Sequence, residues 1–151
     1  MKIKIEIDES AEETELTIRC KKLDKNVEKI KKAAENIDKE PDIAFYKDNV
    51  QYFPPLDSVL FFETSDPALC AHTADDVFQV KAKLYELENL LPRKFVRVSK
   101  SAIVNVRSVY SVEKNIASAS VISFAETHKQ VFASRNYYKL LKQRLGERRF
   151  L

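Results

Sequence analysis

The chain has 151 residues, of which 44% are hydrophobic and 32% charged, and its formal net charge is +3. That is the size and balance of one ordinary folded domain, or of a short module joined to one, not of a disordered chain. No apolar run approaches the roughly 20 residues that span a bilayer, and the opening MKIKIEIDES lacks the continuous apolar core of a secretory signal. A cytoplasmic location is the expectation.

Ile3, Ile5 and Ile7 alternate with charged residues, and Leu16, Ile18 and Cys20 repeat the pattern. Both stretches read as strands with one apolar face, the second over residues 14–20. Asp24 then suits an N-cap, and Val27, Ile30, Ala34 and Ile37 form an apolar stripe on a charged helix that Pro41 ends. Residues 1–40 thus form a small β-β-α segment, too short to bury a core alone. Residues 41–151 form the main domain.

From Ile43 on, strands dominate. IAFYK and VQYF predict a hairpin around Asp48-Asn49, SVLFFET a nearly continuous apolar strand over residues 58–64, and ALCAHT with VFQV a second hairpin around Ala74-Asp75-Asp76. Val80, Leu84, Leu87 and Leu91 give a helical stripe that stops at Pro92. FVRV is a strand, SKSAIVNV a turn or short helix, and VYSVE, ASVISFA and HKQVFAS are three more strands. A last helix covers residues 135–145, with Ser134 as N-cap, Gly146 as C′ residue, and Tyr138, Leu141 and Leu145 on its buried face.

Gly146 is the only glycine. Its isolation excludes a dinucleotide turn and a P-loop, and it argues against type I′ hairpins. Cys20 and Cys70 fit neither a disulfide scaffold nor a zinc motif, and Cys70-x-His72 has no second pair to complete a metal site. His72 and His128 lie in no nucleophile motif. No catalytic residue, cofactor, metal or small-molecule substrate is assigned.

Charge is distributed unevenly. Residues 1–40 carry ten Lys/Arg against eleven Asp/Glu, and residues 41–92 carry three against nine. Residues 93–151 carry thirteen against three, a net of +10. Such a basic segment, interleaved with apolar residues, is the footprint of a surface that meets a polyanion. Its cations gather in two clusters. Arg93, Lys94, Arg97, Lys100 and Arg107 have no acid among them, and Ser134, Arg135, Asn136 and Lys139 open the last helix. A helix N-terminus offers free N–H groups to phosphate.

LFFET, LYELENLLPRKFVRVSKSAIVNVRSV and VFASRNYYKLLKQRL, in that order and spacing, resemble the LytTR DNA-binding domain over residues 47–146. The resemblance implies an elongated, mainly β domain with short helices, built from antiparallel sheets. It also implies double-stranded DNA as partner, with loops rather than a recognition helix entering successive major grooves of paired direct repeats and bending the site. The family's contact positions fall on Lys100, on Arg135 or Asn136, and on the loop after FFET, where Ser65 stands. Arg suits guanine and Asn adenine, and Arg135 is favoured. Arg93, Lys94, Arg97, Ser134 and Lys139 complete the expected contact set. Only about 40 residues precede the domain, so the chain resembles short members of the family that are associated with a neighbouring membrane protein. Residues 1–40 would either fold back on the DNA-binding domain or pair with the same segment of a second chain, and the homodimer is favoured. The competing expectation is a non-enzymatic protein–protein interaction module with a basic face.

Overall fold

The computed structural model describes residues 4–12, 14–35 and 41–151. They divide into two units, Met1–Lys39 and Glu40–Leu151.

In the first unit, helix α1 spans Lys25–Glu35. Asp24 caps it as expected: its Oδ1 accepts from the amides of Asn26 (2.9 Å) and Val27 (3.0 Å). The two strands expected before it do not form in residues 4–8 and 14–20, and Ile3 and Ile37 lie outside the described residues. An isolated pair of short strands has too little apolar face to hold itself together. Ile5 and Ile7 accordingly remain 82% and 90% exposed.

The second unit opens with strands β1 (Phe45–Lys47) and β2 (Val50–Tyr52). Their turn residues Asp48 and Asn49 have φ of 51° and 63°, the type I′ pattern. The lack of glycine therefore did not prevent such a hairpin, because Asp and Asn enter the left-handed region at modest cost. Strands β3 (Phe61–Ser65), β4 (Ala68–His72) and β5 (Val77–Val80) follow, then helix α2 (Leu84–Leu90), which stops before Pro92. Strands β6 (Phe95–Arg97) and β7 (Ala102–Asn105) complete a seven-stranded antiparallel sheet in the order β2-β1-β5-β4-β3-β7-β6. Strands β8 (Val109–Glu113), β9 (Ser120–Phe124) and β10 (Gln130–Ala133) form a separate three-stranded sheet, and helix α3 (Arg135–Glu147) ends the fold. This is a mainly β architecture with short helices.

Two expectations change here. AIVN is a wholly buried strand rather than a turn or short helix. It is covered on both faces, so it shows no alternation by which to tell strand from helix. Gly146 lies inside α3 rather than beyond it, since the helix continues to Glu147 and then tightens into a 3-10 turn, Arg148–Phe150.

Around β3, β6 and β7 the large sheet is buried on both faces, which explains the FF pair of β3. Phe62 points into one core with Phe45, Ile103, and Leu84 and Leu87 of α2. Phe61 points the other way, into a core with Val96, Val104, Ile122, Val131, and Leu141 of α3. Burying each such ring contributes about 2–3 kcal/mol. Asn105, also buried, is spent on structure. Its Nδ2 donates to the Val59 carbonyl (3.1 Å), and its Oδ1 accepts from the Arg107 amide (3.1 Å).

The small sheet docks through the β9–β10 loop. Lys129 Nζ donates to the carbonyls of Thr73 (2.7 Å) and Asp76 (2.8 Å) in the β4–β5 turn. Nearby, the His72 imidazole stacks on Phe61 at 4.2 Å between centroids, and Phe61 stacks on Phe124 at 5.4 Å. Burial, reinforced by the Lys129 ammonium, pushes the His72 pKa down to about 4. Among the described residues, no helix is long and apolar enough to cross a membrane.

His72 makes a pH prediction. Its folded pKa lies below its unfolded value of 6.5, so between the two the unfolded chain binds more protons. Stability held above pH 6.5 is lost as pH falls toward 4. An NMR titration of His72 should have its midpoint near 4, and His72→Phe should flatten the loss of stability across that window.

Candidate nucleic-acid interface

The strand directions set two ends of the large sheet. β3 and β6 run toward one end, where the β3–β4 turn (Ser65-Asp66-Pro67-Ala68) and the β6–β7 turn (residues 98–101) lie. The β1–β2 and β4–β5 turns lie at the other. Two backbone hydrogen bonds then gather three segments at the first end. The Thr64 amide donates to the Ser101 carbonyl (2.8 Å), and the Ser134 amide donates to the Val98 carbonyl (2.8 Å). Ser65, Lys100 and the start of α3 thus become neighbours although they are about 35 residues apart in sequence.

From this end α3 runs back along β6, since Arg144 Nη1 donates to the Arg93 carbonyl (2.9 Å). Thirteen helical residues span about 20 Å. The first basic cluster is therefore split: Lys100 follows β6 and sits with Arg135, Asn136 and Lys139, whereas Arg93 and Lys94 precede β6 at the opposite end.

Ion pairing sharpens the division. Arg93 pairs with Glu147 (2.9 Å) and Lys94 with Asp57. The carboxyls respond: hydrogen bonds from Gln143 and Arg93 hold Glu147 below the ordinary carboxylate range, and Lys94 does the same for Asp57. Arg97 is 14% exposed at its side chain and pairs with Glu88 (2.9 Å). Among the described residues, no ion pair engages Lys100, Arg135 or Lys139, all of them exposed. The acids Asp48, Asp57, Asp75 and Asp76 lie at the opposite end, and Asp66 alone of the turn acids shares the end with the unpaired cations.

Ser65, the last residue of β3, is exposed beside the two-residue turn Asp66-Pro67. Ser134 occupies the N-cap position with extended φ and ψ of −72° and 155°, but its hydroxyl makes no capping bond. The carbonyl of Ser134 instead accepts from Tyr137 and Tyr138 (both 3.1 Å). The exposed first-turn residues Arg135 and Asn136 have no residue four back inside the helix to accept from their amides. An unpaired cation, a polar side chain and the positive end of a helix thus share one surface. Sequence reasoning missed Glu88, because nothing local marks a residue nine positions away as the partner of Arg97.

A sequence profile of the LytTr DNA-binding domain matches residues 49–146. The chain belongs to the LytTr DNA-binding domain family. It is also similar to an uncharacterized HTH-type transcriptional regulator of Staphylococcus aureus (strain NCTC 8325), 31% identical over 148 residues, 97% of this chain and 99% of that protein. A counterpart from the bovine strain RF122 is 30% identical over the same lengths. A LytTr DNA-binding domain from Bacillus cereus superposes with a TM-score of 0.63 at 24% identity, covering 69% of this chain and 96% of that one, and shares the fold. Among the described residues, no two α-helices are joined by the short turn of a helix-turn-helix.

The free Ser134 hydroxyl gives a test. Ser134→Ala should lower stability by less than about 0.5 kcal/mol, below the ~1 kcal/mol usual for a capping serine. Urea unfolding measures it. A loss above 1 kcal/mol would mean that the hydroxyl caps α3 in solution.

Proposed function

We propose that this chain is a transcription regulator that binds paired direct repeats in double-stranded DNA through loops set into the major groove. The observation that supports it most is the gathering of Ser65, Lys100 and the α3 N-terminus at one end by the Thr64–Ser101 and Ser134–Val98 hydrogen bonds. Lys100 and Arg135 supply base contacts, with Asn136 beside them. Lys139, Ser134 and Ser65 face phosphate. Arg93 and Lys94, engaged with acids at the far end, add to the field rather than to the reading surface. The HTH-type transcriptional regulators that the chain resembles over nearly its whole length support the regulatory role.

Arg135→Ala should cost about 1–3 kcal/mol on a preferred site selected from random duplexes, and clearly less on random DNA. Lys139→Gln should weaken both alike and lower the salt slope by about one unit. Equal loss on both DNAs for Arg135→Ala would make it a backbone contact and pass the reading to Asn136.

The first unit acts as the dimerising element, and input comes from a neighbouring membrane protein. No described residue of α1 is buried, and Ile5, Ile7, Leu16 and Leu23 are exposed. Direct repeats need two copies of the domain, and tethering two raises the effective concentration of the second at its repeat. Sedimentation of the full chain at tens of micromolar without DNA should give a dimer. Removal of the residues before Asp42 should give a monomer that binds a half-site weakly. A monomeric full chain would refute the assignment.

A further inference from the structure

The turn between β6 and β7 has an unusual backbone economy. It contains no glycine and no residue with positive φ. Its own bonds are few: the Val98 and Ser99 amides donate to the Ala102 carbonyl (3.0 and 3.4 Å), and the Ser101 amide donates to the Ser99 hydroxyl (3.1 Å). None of these satisfies a carbonyl of residues 98–101, which at a sheet end need donors from elsewhere.

All four find one. Val98 O accepts from the Ser134 amide and Ser101 O from the Thr64 amide. The middle two fall to a single side chain: Arg97 Nε donates to Ser99 O (2.6 Å) and Nη2 to Lys100 O (2.5 Å). Its remaining nitrogen, Nη1, donates to Glu88 Oε2 (2.9 Å), which ties the guanidinium to α2. Each nitrogen of the group is engaged through one N–H, three of its five donors, and the side chain is only 14% exposed, so the guanidinium is largely withdrawn from an approaching phosphate. The effect on the turn is electrostatic as well as steric. With its four carbonyls accepted from within, the turn shows a polyanion side chains rather than negative oxygens. If two carbonyls were released, they would be free to turn outward toward phosphate.

The geometry points to Arg97 as a positioning residue that sets the sequence preference of the Ser99–Ser101 turn by holding its two central carbonyls inward, without touching DNA itself. The inference rests on the reading of that turn as a DNA contact. Lysine cannot replace it, since one ammonium lacks the planar fork that meets two carbonyls and a carboxylate at once. Glu88 serves as the anchor of the fork.

The test uses the full chain with Arg97→Lys and, separately, Glu88→Gln, which keeps an acceptor and leaves the core untouched should the first variant fold poorly. Arg97→Lys should weaken binding to the selected site about tenfold, the scale of one lost base contact. Affinity for random DNA and the salt slope should not change, because no phosphate contact is removed. Glu88→Gln should give a smaller loss in the same direction. Amide exchange at residues 99–101 should quicken in both without DNA. Random and selected sequences weakened alike by Arg97→Lys, or a salt slope lowered by about one unit in the charge-removing Arg97→Gln, would overturn the inference by making Arg97 a phosphate contact. Wild-type affinity for the selected site in both variants would overturn it too. Lys100→Ala separates the two layers: if it keeps full discrimination while Arg97→Lys still loosens the amides, the turn is clamped but does not read DNA.

Discussion

The sheet register depends on β3 being buried on both faces, and the gathering of Ser65, Lys100 and the start of α3 depends on that register. Phe61 and Phe62 enter opposite cores, so slipping β3 by one residue would exchange them and place Glu63 where a ring belongs. The pairing of Phe62 with Ile103 and Glu63 with Ala102 follows. It brings Thr64 opposite Ser101 and leaves the 98–101 turn at the level of the β3–β4 turn. Hydrophobic burial, which carries no information about DNA, thus decides which polar residues share a surface.

Electrostatics then separates cations that composition cannot. Six cations of the basic segment fall into two kinds, while Arg107, Lys142, Arg148 and Arg149 are also exposed and in no ion pair among the described residues. Arg93, Lys94 and Arg97 are held by carboxylates, and the last two are largely covered. Lys100, Arg135 and Lys139 stand exposed at the other end of α3. The net charge of the segment counts both kinds equally, whereas a polyanion meets only the second at full strength.

Much of the fold was legible because its signals are local. Alternation located most strands, the Leu84/Leu87 stripe before Pro92 located α2, and Asp24 located the start of α1. AIVN was misread because two-sided burial erases periodicity. Gly146 was misread because nothing in the sequence tells a glycine that ends a helix from one inside its last turn. The strands expected in residues 4–8 and 14–20 had the right pattern and no partner. At the candidate interface the two clusters were visible as charge runs. The split of the first was not, because it follows from α3 running antiparallel to β6. The Arg97–Glu88 pair joins a strand to a helix and has no signature in spacing.

The hydrogen bond from Ser134 to Val98 has a consequence for how adaptation is shared when the complex forms. A helix start pinned to a strand edge, beside a turn whose carbonyls are all accepted, has little conformational entropy left to lose. On the proposed function, such a surface would dock as a preformed body and the duplex would do the yielding. On the proposed reading, the cost of bending falls on base steps between the repeats that no side chain touches. Flexible pyrimidine–purine steps there would be favoured through DNA mechanics alone.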